Sequence, residues 1–158
     1  LADVFGMGLL GLDVLDDFLD TCDKNEAKLL RKATVAGSRV ILKAAKANCP
    51  VSVDGNYNHP KGNLKKSLKV KPVKPKVSGK QLVLVGPEVG KKAKNDGYYG
   101  RFVENGTSHS VPEPFLRPAY DENSDKAYQE AARVYNENWG DTVIQDIEDL
   151  GDLLTDGD

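Results

Sequence analysis

The sequence predicts an α+β protein with N-terminal helices, a small antiparallel sheet carrying a lysine-rich hairpin, and a long C-terminal helix. Three observations carry this prediction. Apolar residues recur at spacings of three and four across residues 12–48 and again from Phe115 onward; between those stretches the period falls to two; and Gly, Pro, Asn and Asp cluster at the junctions.

Leu12, Val14, Leu15, Phe18 and Leu19 share one face of a short helix over residues 12–21, with aspartates on the other face. A second helix, of about seven turns, follows from Lys24 to Asn48, with a stripe through Leu30, Ala33, Gly37, Val40, Ile41 and Ala44. Its small residues Ala33, Gly37, Ala44 and Ala45 permit another element to approach closely, and Pro50 supplies its stop. Residues 52–63 read as an exposed, turn-rich loop.

From Leu64 the pattern alternates, with Leu68 and Val70 opposite Lys69 and Lys71, and it changes parity at Pro72–Val73, which predicts a bulge or the rim of an edge strand. Lysines on such an edge discourage pairing with foreign strands. Ser78–Gly79–Lys80 reads as the hairpin turn, and Gln81–Val85 as a short central strand ended by Gly86–Pro87. Tyr99, Phe102 and Val103 fit a third strand or a short helix equally well. Leu116, Ala119, Tyr120, Ala127, Ala131 and Val134 mark the last long helix, with a break expected at Trp139–Gly140. Beyond it, Thr142–Leu154 carries Val143, Ile144, Ile147, Leu150 and Leu153 above a band of acids. The division expected is therefore one α+β domain over residues 1–138 and an acidic amphipathic extension over 139–158.

At 158 residues the chain has the size of one domain. Its net charge of -2 conceals a segregation: residues 1–27 are acidic by about six charges, 28–103 basic by about fifteen, and 104–158 acidic by about eleven. Opposed charge of this kind either neutralises within one molecule or joins copies head to tail. No apolar run approaches the ~20 residues of a membrane helix, and the acidic start has the wrong polarity for a secretory signal. The chain is expected to be made and used in a cytoplasm, with Cys22 and Cys49 as free thiols.

A catalytic reading finds little to build on. His59 and His109 lie in polar loops, outside any spacing that carries a mechanism, and Glu104 with His109 has no nucleophile nearby. No metal or cofactor is expected. Eight lysines between Lys61 and Lys80 suit sequence-independent phosphate contact, yet the stretch has no arginine for base edges and no aromatic for stacking.

The densest cluster of special residues is therefore read structurally. Gly106 provides a positive φ that ends the preceding element, Thr107 bonds the turn that follows, Pro112 and Pro114 stiffen the approach, and Pro118 sits in the first helical turn, where a missing N–H is harmless. Glu104 and Arg117 are expected to pair and clamp the end of one element to the start of the helix.

Those residues also resemble a known family. Tyr99-Gly100-Arg101-Phe102-Val103-Glu104-Asn105-Gly106-Thr107 is similar to a signature of tailed-phage tail-completion proteins, the head-to-tail joining minor tail proteins of lambdoid type. Pro114-Phe115-Leu116-Arg117-Pro118-Ala119 resembles that family's helix start, and Gly62-Asn63-Leu64-Lys65-Lys66-Ser67-Leu68 its strand start. The resemblance covers roughly residues 12–135. It implies a non-enzymatic virion protein of the neck or tail, assembled in the host cytoplasm. Such a protein would form a hexameric or dodecameric ring against the head connector or stopper and the tail terminator or tube. DNA would pass through without specific recognition, and no membrane is involved. Tyr99, Phe102, Glu104, Gly106, Thr107, Pro114, Phe115, Arg117 and Pro118 form the structural motif, and Lys65, Lys66, Lys69, Lys71, Lys74 and Lys76 a candidate basic strand for gripping a neighbouring subunit. A tail terminator is the alternative within this class. A prophage nucleic-acid-binding module, with strongly salt-dependent binding, is the alternative outside it.

Overall fold

The computed structural model describes residues 2–51, 60–73, 81–90 and 93–155, with side chains from Asp20 to Glu148. Helix α1 runs over Ala2–Asn48, α2 over Asn63–Ser67, strand β1 over Leu68–Val73, β2 over Leu82–Pro87, α3 over Gly100–Asn105 and α4 over Leu116–Thr155. The α+β class stands: two long helices, one at each end of the order, enclose a small antiparallel sheet.

Where two N-terminal helices were expected there is one. Residues 21–24 contain no Gly or Pro, so nothing interrupts the ladder between the two apolar stripes, and α1 continues for 47 residues, about 70 Å. Cys22 thus lies within α1, about 40 Å from Cys49 along the axis, which leaves both thiols free. Burial, together with the neighbouring Asp146 charge, pushes the Cys22 thiol up; burial does the same for Cys49 against the opposing Lys65 charge.

The break expected at Trp139–Gly140 is also absent, and α4 passes straight through to Thr155. A single exposed glycine costs a helix only about 1 kcal/mol relative to alanine, too little to end an element anchored on both sides. Tyr135 stacks on Trp139 across this point, with ring centroids 5.4 Å apart.

Helices α1 and α4 lie antiparallel and side by side. Asn25 donates to Asp146 at 2.8 Å, and Lys32 reaches Asn138. Nearer the other end, Gly37 meets the α4 backbone so closely that a Cβ there would lie 2.4 Å from the Ala127 carbonyl oxygen and 3.1 Å from the Ala131 Cβ. Gly37→Ala is therefore expected to lower stability by about 1–3 kcal/mol through overpacking, despite the better intrinsic helix propensity. Gly140 has open space around its Cβ position, so Gly140→Ala should raise stability by about 0.5–1 kcal/mol. Denaturant melts of the two variants in parallel check both; a gain at Gly37 would mean that the helices are not in this contact.

Strands β1 and β2 pair one to one from Leu68↔Pro87 to Val73↔Leu82, without the bulge expected at Pro72. Pro72 faces Val83 in register. A proline is tolerated here because a two-stranded ribbon consists of edges only, which also corrects the reading of residues 81–85 as a central strand. The expected turn at residues 78–80, the loop at 52–59 and the parity change beyond Val73 lie outside the described residues. One face of the ribbon, with Val70, Pro72, Val83 and Val85, turns toward α1; the other carries Lys69, Lys71, Leu82 and Leu84.

The core forms where α1 ends and α4 begins. Ala45, Cys49, Leu64, Leu68, Phe115 and Ala119 are buried together, with Leu42, Tyr99, Val103 and Leu116 packed against them. Ser67, fully buried, donates its hydroxyl to the Leu64 carbonyl at 2.6 Å. Asn63, also buried, donates to the Asp96 carbonyl at 2.7 Å. In this way the segment Gly62–Leu68 inserts Leu64 and Leu68 into the core and leaves Lys65 and Lys66 in solvent.

Candidate interaction surface

The cluster around residues 99–118 is a helix junction. Tyr99–Val103 and their neighbours, ambiguous between strand and helix in sequence, form α3. Gly106 ends it with φ of +72°, a conformation that side-chain-bearing residues rarely adopt. The Thr107 hydroxyl oxygen accepts from the His109 N–H at 3.2 Å, and the Glu113 N–H bonds the Val103 carbonyl at 2.8 Å, folding the loop back on α3.

This return brings the start of α4 onto Glu104. Its carboxylate accepts from the N–H groups of Phe115 and Leu116 at 2.8 Å and of Arg117 at 2.9 Å. A helix begins with four N–H groups that lack intrahelical partners. Here Glu104 takes three of those positions, and Pro118, at the fourth, has no N–H to satisfy. Burial works to raise the Glu104 pKa, but the Leu116, Phe115 and Arg117 N–H bonds, with the nearby Arg117 charge, outweigh it and hold the carboxyl below its ordinary value. The expected clamp is thus made differently than expected. Glu104 grips the Arg117 backbone rather than the guanidinium, and it projects from a helix.

Other expected residues are dispersed. Tyr99 packs on the core, whereas Phe102 is exposed beneath the Arg101 guanidinium, 4.6 Å from its ring centroid. Pro114 is exposed. Lys65 and Lys66 stand on α2 rather than on a strand, Lys69 and Lys71 lie on the outer ribbon face, and Lys74 and Lys76 fall outside the described residues. Lys69 pairs with Glu88 across the ribbon.

Two surface features were hidden from sequence reasoning. On the ribbon, Leu82 and Leu84 are about half exposed (49% and 52%) beside Lys69 and Lys71. On the C-terminal third of α4, Asn138 and Asp146 turn to α1 and bond there, while Val143, Ile144 and Ile147 turn to solvent, the last two 57% and 62% exposed. Sequence showed the apolar row but not its direction. An amphipathic helix is ordinarily packed the other way round.

A cleft of about 520 Å³ between α1, β2 and α4 is lined by Ile41, Val83, Val85, Leu116 and Tyr120, with Glu104 at its margin. The one carboxylate that reaches it already holds three backbone donors. Among the described residues no group of His, Cys, Asp and Glu is placed to hold a metal ion, and no helix is long and apolar enough to cross a membrane. His109 sits in an exposed turn, and His59 lies outside the described residues.

Among the described residues the chain thus leaves apolar rows uncovered on the ribbon and on α4. The family described as "Bacteriophage HK97-gp10, putative tail-component" matches residues 13–106, and the chain belongs to that family. It is a structural, tail-associated phage component. No curated protein and no solved structure matches it. The match ends at Gly106, so it takes in Glu104 but not the helix that Glu104 holds.

Proposed function

We propose that the chain works in the phage neck, as one subunit of a ring that joins the head connector to the tail tube around the DNA path. The reading is supported by the family and carried by one observation: exposed apolar residues lie beside lysines on the ribbon and within an acidic stretch on α4, so the molecule offers two unlike, complementary faces. A ring of one protein needs just such a pair, since each subunit presents one face to the neighbour ahead and the other to the neighbour behind. The acids of α4 that no neighbour covers would face the passage and repel DNA phosphate, while the lysines grip protein.

Deletion of the gene from its phage, followed by electron microscopy of the lysate, tests this function. Filled heads beside unattached tails of normal length are expected. Tails of irregular length would instead indicate a terminator that caps the tube, and intact infectious particles would overturn a neck role altogether.

A further inference from the structure

The geometry points to the two faces as partners: we infer that the exposed row Val143, Ile144 and Ile147 on α4 of one copy seats on the Leu82–Leu84 face of the ribbon of a second copy. This inference rests on the ring reading and names the contact that would build the ring.

The packing of α4 is inverted. Its polar residues Asn138, Thr142 and Asp146 are turned inward, where Lys32 and Asn25 engage two of them, so rotation of the helix to bury the apolar row would break those bonds. The row therefore stays exposed in an isolated copy, at a cost that a partner removes.

Charge selects the same partner. After Arg133, whose guanidinium is already held by Glu130 and Glu137, the sequence of α4 has Asp141, Asp146, Glu148, Asp149 and Asp152 and no base, and of these acids Asp146 is already bonded to Asn25 of α1. The occupant of this row must be apolar with basic flanks. The outer ribbon face has that composition: Leu82 stands opposite Val73 and Leu84 opposite Lys71, with Lys69 next on the same face, opposite Gly86. The lysine stems extend the apolar surface; with the Lys69 ammonium already paired to Glu88, the exposed Lys71 ammonium is the one that reaches an acid such as Glu148 at the rim of the row.

The two surfaces also lie far apart on one molecule. The ribbon lies on α1 near Ser38 and Ile41, whereas the row stands level with Asn25, about 24 Å away along the helix pair. It also faces away from α1. The two surfaces cannot meet within one copy. Being different patches on one chain, they form a head-to-tail contact, which closes into a ring or propagates.

The test uses two full-length variants, one with Ile144→Asp and Ile147→Asp, the other with Leu82→Asp and Leu84→Asp, compared by sedimentation. The wild-type chain is expected to form oligomers larger than a dimer, and each variant alone to be monomeric, with association weakened at least about 100-fold. An equimolar mixture should yield a one-to-one dimer and nothing larger, because each variant retains the face its partner lacks; that dimer also shows that both are folded. Variants that keep the wild-type oligomer would overturn this contact and leave the ring reading in place. A mixture that stays monomeric, while circular dichroism shows both variants folded, or a wild-type chain that is monomeric at millimolar concentration, would also overturn it, and the neck role would still be decided by the deletion phenotype.

Discussion

Glu104→Ala is expected to destabilise the folded chain by about 2–3 kcal/mol in urea unfolding, while Arg117→Ala costs less than about 1 kcal/mol. The difference follows from what each group touches. Loss of the carboxylate leaves the N–H groups of Phe115, Leu116 and Arg117 without their acceptor, at a buried residue and its two neighbours. The negative charge also opposes the positive end of the α4 dipole. The Arg117 guanidinium contributes only its nearby field, so a double-mutant cycle between the two should show weak coupling. Strong coupling would return the clamp to a side-chain ion pair.

The same carboxylate sets a pH dependence. Because its folded pKa is lowered, the stabilisation is fully present above the ordinary value of 4.5 and is lost as the pH falls through the folded value beneath it. Glu104→Gln should remove this part of the acid slope. An unchanged slope would show that the carboxylate is not held by these donors.

Phe115→Ala is expected to be the most damaging single truncation, at about 3–5 kcal/mol. Phe115 is the largest fully buried side chain among the described residues and has no exposed surface. It sits where α1, α2, β1 and α4 converge, against Ala45, Cys49, Leu64 and Leu68. Small neighbours such as Ala45 and Ala119 cannot swing in to refill the space, so most of the cavity would persist. Phe115→Leu keeps much of the volume and should cost less than half as much. Equal urea midpoints for the alanine variant and wild type would show that the ring does not anchor the core.

The sequence made the helices, the ribbon and the helix start at Phe115 legible, because periodicity and proline placement are local signals. It misjudged α1 and α4 as broken, since a short polar interval or one exposed glycine weakens a helix without ending it. Glu104 was legible as important because it stands alone among glycine, asparagine and apolar neighbours. Its true partners were not, because backbone N–H groups have no letter in a sequence. The direction of Val143, Ile144 and Ile147 was likewise out of reach: it depends on where Lys32 and Asn25 of α1 come to lie, which is a long-range fact.

The antiparallel pairing of α1 with α4 has a consequence for how the chain is made. Its two helices are translated at different times, α1 first and α4 only from Leu116 onward. At roughly 5–20 residues per second, about 6–24 s separate the synthesis of Asn25 from that of its partner Asp146, 121 residues later. Throughout that interval the stripe through Leu29, Ala33 and Gly37, buried in the finished protein, has nothing to bury against. The exposed Lys28, Arg31, Lys32, Arg39 and Lys43 that surround it then keep that helix hydrated as a temporary solubility coat until α4 arrives.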